Sequence, residues 1–180
     1  MMGRSPNCAN TRVSKIVKAP RQAVYQAFLD RDALVAWLPP DGMRGEVHTL
    51  EGREGGRFRI SLTYQDPERS GEGKTSADTD IVQGRFAELV PCSRIVEVIE
   101  FESQKPEFAG EMKIIVSLAD VDGGTEVTML CQDIPPGIRP EDNEQGCKES
   151  LQKLTHLLEW CNSQNPKCVT AYNGDSLTGS

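Results

Sequence analysis

A chain of 180 residues with 37% hydrophobic and 26% charged side chains fits one domain with a sizeable core and leaves little room for a second. Its net charge of −7, with basic residues scattered rather than clustered, argues against nucleic acid or an anionic membrane surface as partner. No apolar run approaches the ~20 residues that span a bilayer, and the polar N-terminus lacks the apolar stretch of a signal peptide, so a cytoplasmic address is expected.

Residues 1–10 are expected to be disordered. Thr11–Lys18 is rich in β-branched residues and predicts a first strand, which Ala19-Pro20 stops. Proline at a first helical position has its φ preset and no N–H to waste. Val24, Ala27 and Phe28 then recur at helical spacing. Asp30 and Asp32 suit the start of a second short helix over residues 32–38, which Pro39-Pro40 ends. From Met43 the hydrophobic pattern shortens to strict alternation. Arg44–Leu50 predicts one strand, residues 51–56 a glycine-rich turn, and Arg57–Tyr64 the next strand. In that strand Phe58, Ile60, Leu62 and Tyr64 share one face and Arg57, Arg59, Ser61 and Thr63 the other, as in a sheet with one buried side.

Residues 65–79 hold no large apolar side chain and predict a mobile loop. Asp80–Leu89 and Arg94–Glu102 predict a strand pair. Glu111–Ala119 and Thr125–Gln132 predict another, joined at Asp122-Gly123-Gly124, where glycine supplies positive φ. Pro135-Pro136 marks the exit from the sheet. Cys147, Leu151, Leu154 and Leu158 form one stripe of the longest helix, over 147–161, widened by Leu157, Trp160 and Cys161. Residues 163–180 are polar and predict a disordered tail, which leaves a single domain over 11–162.

Six cysteines, at 8, 92, 131, 147, 161 and 168, form no C-x-x-C pair, and only His48 and His156 accompany them. Zinc sites need paired ligands at short spacing, so neither a metal nor another cofactor is expected. Cys147 and Cys161 on one helix would stand roughly 21 Å apart, too far to bridge. Reduced, mostly buried thiols are the expectation.

The order is a strand, two short helices, about six antiparallel strands and a long amphipathic helix, which is an α+β architecture. A strongly twisted sheet of this length curls, and the helix stripe is the apolar surface left to fill its concave face. The same order of elements resembles the START-like (SRPBCC) superfamily, in its branch of activator of heat-shock-protein-90 ATPase homologues. The resemblance rests on Ala19-Pro20 with Val24, Ala27 and Phe28; on Leu34 with residues 37–40 (WLPP); and on Gly55-Gly56-Arg57-Phe58. Residues 84–91 (GRFAELVP), 123–128 (GGTEVT) and Glu144-Gln145-Gly146 with Leu151 and Leu154 complete it. Six motifs in order across roughly residues 12–161 are more specific than any one of them.

The resemblance implies a helix-grip fold, a curved antiparallel sheet of about seven strands around the C-terminal helix, with a cavity between the two. It also implies a chaperone as partner and a part in the stress response. One position departs from the branch: Cys147 stands directly after the glycine, where a tryptophan is usual. The second domain of eukaryotic activators is not expected here.

Two readings of the site follow. In the first, a non-catalytic binding domain takes a small apolar or lipid-like ligand, lined by Trp37, Phe58, Ile60, Tyr64, Phe86 and Ile99 together with Met112, Ile114, Met129, Leu151, Leu154 and Leu158. The same side chains can equally pack against one another. In the second, a cyclase- or hydrolase-like enzyme uses Glu97, which shares a strand face with Ile95, Ile99 and Phe101 and so points a carboxylate inward. Tyr64 and Arg59 are the other polar candidates, while His48 and His156 read as surface residues. No Ser/His/Asp or Cys/His arrangement stands at readable spacing, so the first reading is preferred.

Overall fold

The structure, a computed structural model, describes residues 9–164, with side chains described through Cys161. The expected disorder of residues 1–8 and 165–180 lies outside the described residues. Strand β1 (Ala9–Val17) is followed by helices α1 (Arg21–Leu29) and α2 (Arg31–Trp37). Six strands then run in succession: β2 (Met43–Leu50), β3 (Arg57–Tyr64), β4 (Thr79–Val90), β5 (Arg94–Phe101), β6 (Met112–Val121) and β7 (Gly124–Ile134). Helix α3 (Pro140–Gln164) closes the order. The seven strands form one antiparallel sheet in the order β1-β7-β6-β5-β4-β3-β2. β1 therefore pairs with the last strand and not with β2, and α1 and α2 carry the chain from one edge of the sheet to the other.

Local chemistry sets the boundaries. Asp30 caps α2 by accepting from the Ala33 amide at 2.7 Å. Pro20 is extended, with φ −69° and ψ 153°, and stands just before α1 instead of in its first turn. Helix α3 begins seven residues earlier than expected, at Pro140, with Glu141 and Asp142 in the first turn. Both features favour a helix start, but the turn carries no apolar stripe for sequence periodicity to register.

Curvature comes from irregular pairing. The ladder slips between Val47 and Thr49 and again between Phe86 and Glu88, and such bulges bend and twist a sheet. On the concave side, Leu151, Leu154 and Leu158 of α3 are fully buried. The helix packs chiefly on β1 and α2. Ser150 Oγ donates to the Leu38 carbonyl at 2.7 Å and Lys153 Nζ to the Pro39 carbonyl at 2.7 Å. At the end of α2, Trp37 is buried, donates its indole N–H to the Ala27 carbonyl at 2.9 Å, and meets Phe28 edge-on with ring centroids 4.7 Å apart.

The segment 65–79, expected to be a mobile loop, is folded onto the neighbouring strands. It holds a short 3-10 turn at Pro67–Arg69. Gly73 donates its amide to the Ala77 carbonyl, Tyr64 to the Asp78 carbonyl, and Ile81 to the Thr75 hydroxyl. Its order comes from backbone bonds and polar side chains, which is why the absence of large apolar residues gave the opposite expectation.

Gly84 shows how tightly the sheet is assembled. It pairs with Phe58 on β3 and Ile99 on β5. A Cβ there would stand 2.5 Å from the Val98 carbonyl oxygen and 2.7 Å from the Phe58 ring. Gly84→Ala is expected to destabilise the fold by about 1–3 kcal/mol, read as a lower urea midpoint at an unchanged slope. A shift too small to resolve would mean that β5 at Val98 and the Phe58 ring can both shift at no cost.

Candidate functional site

Strand register places five side chains in one row. Phe86 pairs with Glu97, Glu97 with Ile114, Ile114 with Cys131, and Cys131 with Thr11. Directly paired residues face the same side of a sheet, and this row runs across the concave face. Because α3 lies chiefly over β1 and α2, part of the concave face meets open space. A cleft of about 740 Å³ fills that space between the sheet, the end of α2, segment 65–80 and the first turns of α3.

Most candidate residues line the cleft, yet all but Tyr64 and Ile114 are buried members of one core. Phe58, Ile60 and Tyr64 of β3, Phe86 of β4 and Ile99 of β5 line the cleft. So do Met112 and Ile114 of β6, Met129 of β7 and Trp37 at the end of α2. Leu151, Leu154 and Leu158 do not. The apolar stripe of α3 is spent in the core, and the part of the helix that meets the cleft is its beginning, at Asp142, Asn143, Gly146 and Cys147. Arg59 points to the opposite face, where it makes a two-pronged ion pair with Glu102 at 2.8 and 3.0 Å. His48 contacts Ser61 and His156 contacts Gln152, both at exposed positions. Among the described residues no group of three or more potential metal ligands occurs.

Two carboxylates stand on the sheet wall of the cleft, and they differ in how their charge is met. Asp80 is buried and accepts from both the backbone amide and the ammonium of Lys74, at 2.7 and 2.8 Å. Glu97, between Phe86 and Ile114, makes no hydrogen bond or ion pair among the described residues. Burial therefore acts on it unopposed and raises its pKa from the ordinary 4.5 to about 7. The side chain retains some accessible surface and lines the cleft.

Segment 65–79 supplies a charged rim, which no local pattern in its residues signals. Lys74, bound to Asp80, also lies 5.2 Å from the centre of the Phe101 ring. The Arg69 guanidinium stacks over Tyr64 at 4.4 Å and is held by Glu72 at 2.9 Å. The Tyr64 phenol is pushed above its ordinary range, first by burial and then by the Asp80 charge. Cys131 and Cys147 were also missed as neighbours. They lie on β7 and α3 with sulfurs 3.9 Å apart, and both line the cleft. Nothing in local spacing signals either arrangement: the rim depends on how segment 65–79 folds onto β3 to β5, and the cysteine pair on where α3 docks.

The Glu97 environment has a consequence for stability. Between pH 4.5 and 7 the folded chain holds a proton on Glu97 that the unfolded chain has lost. The group's contribution is thus complete below pH 4.5 and lost as pH rises through about 7. Glu97→Gln removes that dependence. Relative to the native chain, the variant is expected to gain up to about 3 kcal/mol between pH 4 and pH 8, with solvent in the cleft reducing that figure. Urea unfolding of both proteins across that range checks it, and a constant difference would mean that Glu97 titrates alike in the folded and unfolded chains.

Comparison with known proteins agrees with this geometry. The family described as "Activator of Hsp90 ATPase homolog 1-like protein" matches residues 18–159. Protein CV1439 from Chromobacterium violaceum is 30% identical, with a TM-score of 0.75 over 83% of this chain and 96% of its own. A protein from Rhodobacter sphaeroides is 19% identical, with a TM-score of 0.69 over 87% of this chain and 95% of its own. An AHSA1-like protein from Aeromonas hydrophila is 16% identical, with a TM-score of 0.65 over 87% of this chain and 96% of its own, and shares the fold. No curated protein matches. The helix-grip sheet, its order of elements and the match over 18–159 place the chain in the family of activator of Hsp90 ATPase homolog 1-like proteins.

Proposed function

We propose that the chain is a non-catalytic binding domain whose cleft takes a small, largely apolar molecule and pairs one polar group of that molecule with Glu97. The observation that carries this reading is the unpartnered carboxylate set among Phe86, Ile114 and Met112 in a cleft of about 740 Å³. That volume and lining are typical of small-molecule sites, where a few polar groups orient an otherwise apolar ligand. A carboxyl group with a pKa near 7 is versatile. Protonated, it donates to a carbonyl or ether oxygen; ionised, it accepts from a hydroxyl or amine. The charged rim at Arg69, Glu72 and Lys74 suits a ligand with its polar end outward or a partner protein at the mouth.

One observation favours a second reading. A carboxyl poised near neutral pH is what general acid–base chemistry needs, so Glu97 could serve a cyclase- or hydrolase-like reaction. The two readings part at Glu97→Gln. An enzyme loses turnover while keeping its ligand, whereas a binding domain loses only part of its affinity. Family membership adds chaperone contact as a role for the outer surface, read as a change in the chaperone's ATPase rate when this chain is added.

Long-chain alcohols such as dodecan-1-ol supply a simple test. Binding to the folded state raises the melting temperature, and a shift of several degrees is expected. Glu97→Gln should weaken binding about tenfold, the value of one lost hydrogen bond to a buried group. Ile114→Trp should fill the cleft and remove the shift. An equal shift in wild type and Ile114→Trp would place binding elsewhere and overturn the assignment.

A further inference from the structure

We propose that Cys131 and Cys147 are a redox-modifiable pair that closes to an intramolecular disulfide when a hydroperoxide reaches the cleft. The pair is set by tertiary structure and stands independently of what else the cleft binds. Cys131 lies on β7 and Cys147 on α3, with sulfurs 3.9 Å apart.

Their placement is held by two further side chains. Thr11, the partner of Cys131 across the β1–β7 ladder, donates to Asn143 Oδ1 at 2.7 Å. Asn143 stands one helical turn ahead of Cys147, and its Oδ1 lies 4.0 Å from that sulfur. Strand and helix are thus fixed against each other at this point, and the two thiols meet repeatedly in one geometry. Both also border the cleft, Cys147 half-buried and Cys131 only 1% exposed, so a small oxidant reaches Cys131 only as the Cys147 side chain turns aside. A disulfide needs the sulfurs to close to about 2.05 Å. Cys147 is only half-buried and faces the cleft, so its side chain has room to turn toward Cys131.

The chemistry has a natural direction. The Cys131 thiol is held below its ordinary range, chiefly because Cys147 hydrogen-bonds to it, whereas the same contact and burial push Cys147 up. We assign Cys131 as the attacking thiolate, an order that the Cys147→Ser variant checks. Its sulfur attacks the outer peroxide oxygen, the O–O bond breaks, and an alcohol or water leaves with a proton. Cys131 is left as a sulfenic acid. The Cys147 sulfur then attacks the Cys131 sulfur, the S–O bond breaks, and hydroxide leaves as water with the Cys147 proton. The two sulfurs together lose two electrons and the peroxide gains them.

The sequence makes the product easy to read. Trypsin does not cut between Arg139 and Pro140, so Ile114–Lys148 is released whole, with Cys131 and Cys147 as its cysteines. Reduced protein is treated with hydrogen peroxide, alkylated under denaturing conditions and digested. The expected peptide is lighter by two hydrogens and carries no alkyl group. The oxidised protein should melt roughly 5–10 °C higher, because the bond closes a short loop in the unfolded chain. In Cys147→Ser the reaction should stop at Cys131, trapped by dimedone as a sulfenic acid. Two alkyl groups on the wild-type peptide after oxidation, or a sulfinic acid at Cys131 in place of the disulfide, would overturn the proposal.

Discussion

The position of α3 on the sheet governs everything else. The helix is pinned at one side by Ser150 and Lys153, which bond the carbonyls of Leu38 and Pro39, and its leucine stripe is buried chiefly against β1 and α2. A helix of this width cannot also cover the far strands, since its diameter with side chains is about 10–12 Å and seven strands span roughly 30 Å. The concave strip over β3 to β6 is consequently left without helix cover, and Tyr64, Glu97 and Ile114 keep accessible surface there. Its side chains remain apolar because alternation along each strand continues past the edge of the helix.

Leaving Glu97 on that strip has an energetic cost. A carboxylate set between Phe86 and Ile114 without a partner gives up hydration and gains nothing within the chain, which is why it holds its proton to about pH 7. Asp80 shows that the same sheet can satisfy a buried acid: Lys74 folds back and meets it with two bonds. The contrast between the two acids supports the proposal that Glu97 pairs with a polar group of a ligand. A purely structural strip would be more stable with an apolar residue at that position.

Much of this was legible in the sequence. Alternation in residues 57–64 and 94–102 fixed which side chains point inward, and Glu97 followed from sharing a face with Ile95 and Ile99. The terminal stripe identified α3, and the motif order identified the family before any coordinates. Three things were not legible, for different reasons. Periodicity shows that Leu151, Leu154 and Leu158 are buried but not against what, so it does not show that they lie away from the cleft lining. Segment 65–79 is ordered by backbone hydrogen bonds, which leave no hydrophobic trace. The meeting of Cys131 with Cys147 depends on docking a helix onto a strand, a relation that no local spacing encodes.

The account's central claim is that the cleft around Glu97 is a binding site and not a packing defect. Native mass spectrometry of freshly purified protein, followed by denaturing extraction of whatever travels with it, tests this most directly. The account predicts a reproducible small apolar adduct on the wild-type chain that is missing from Ile114→Trp. An adduct that persists unchanged in the filled variant would contradict it.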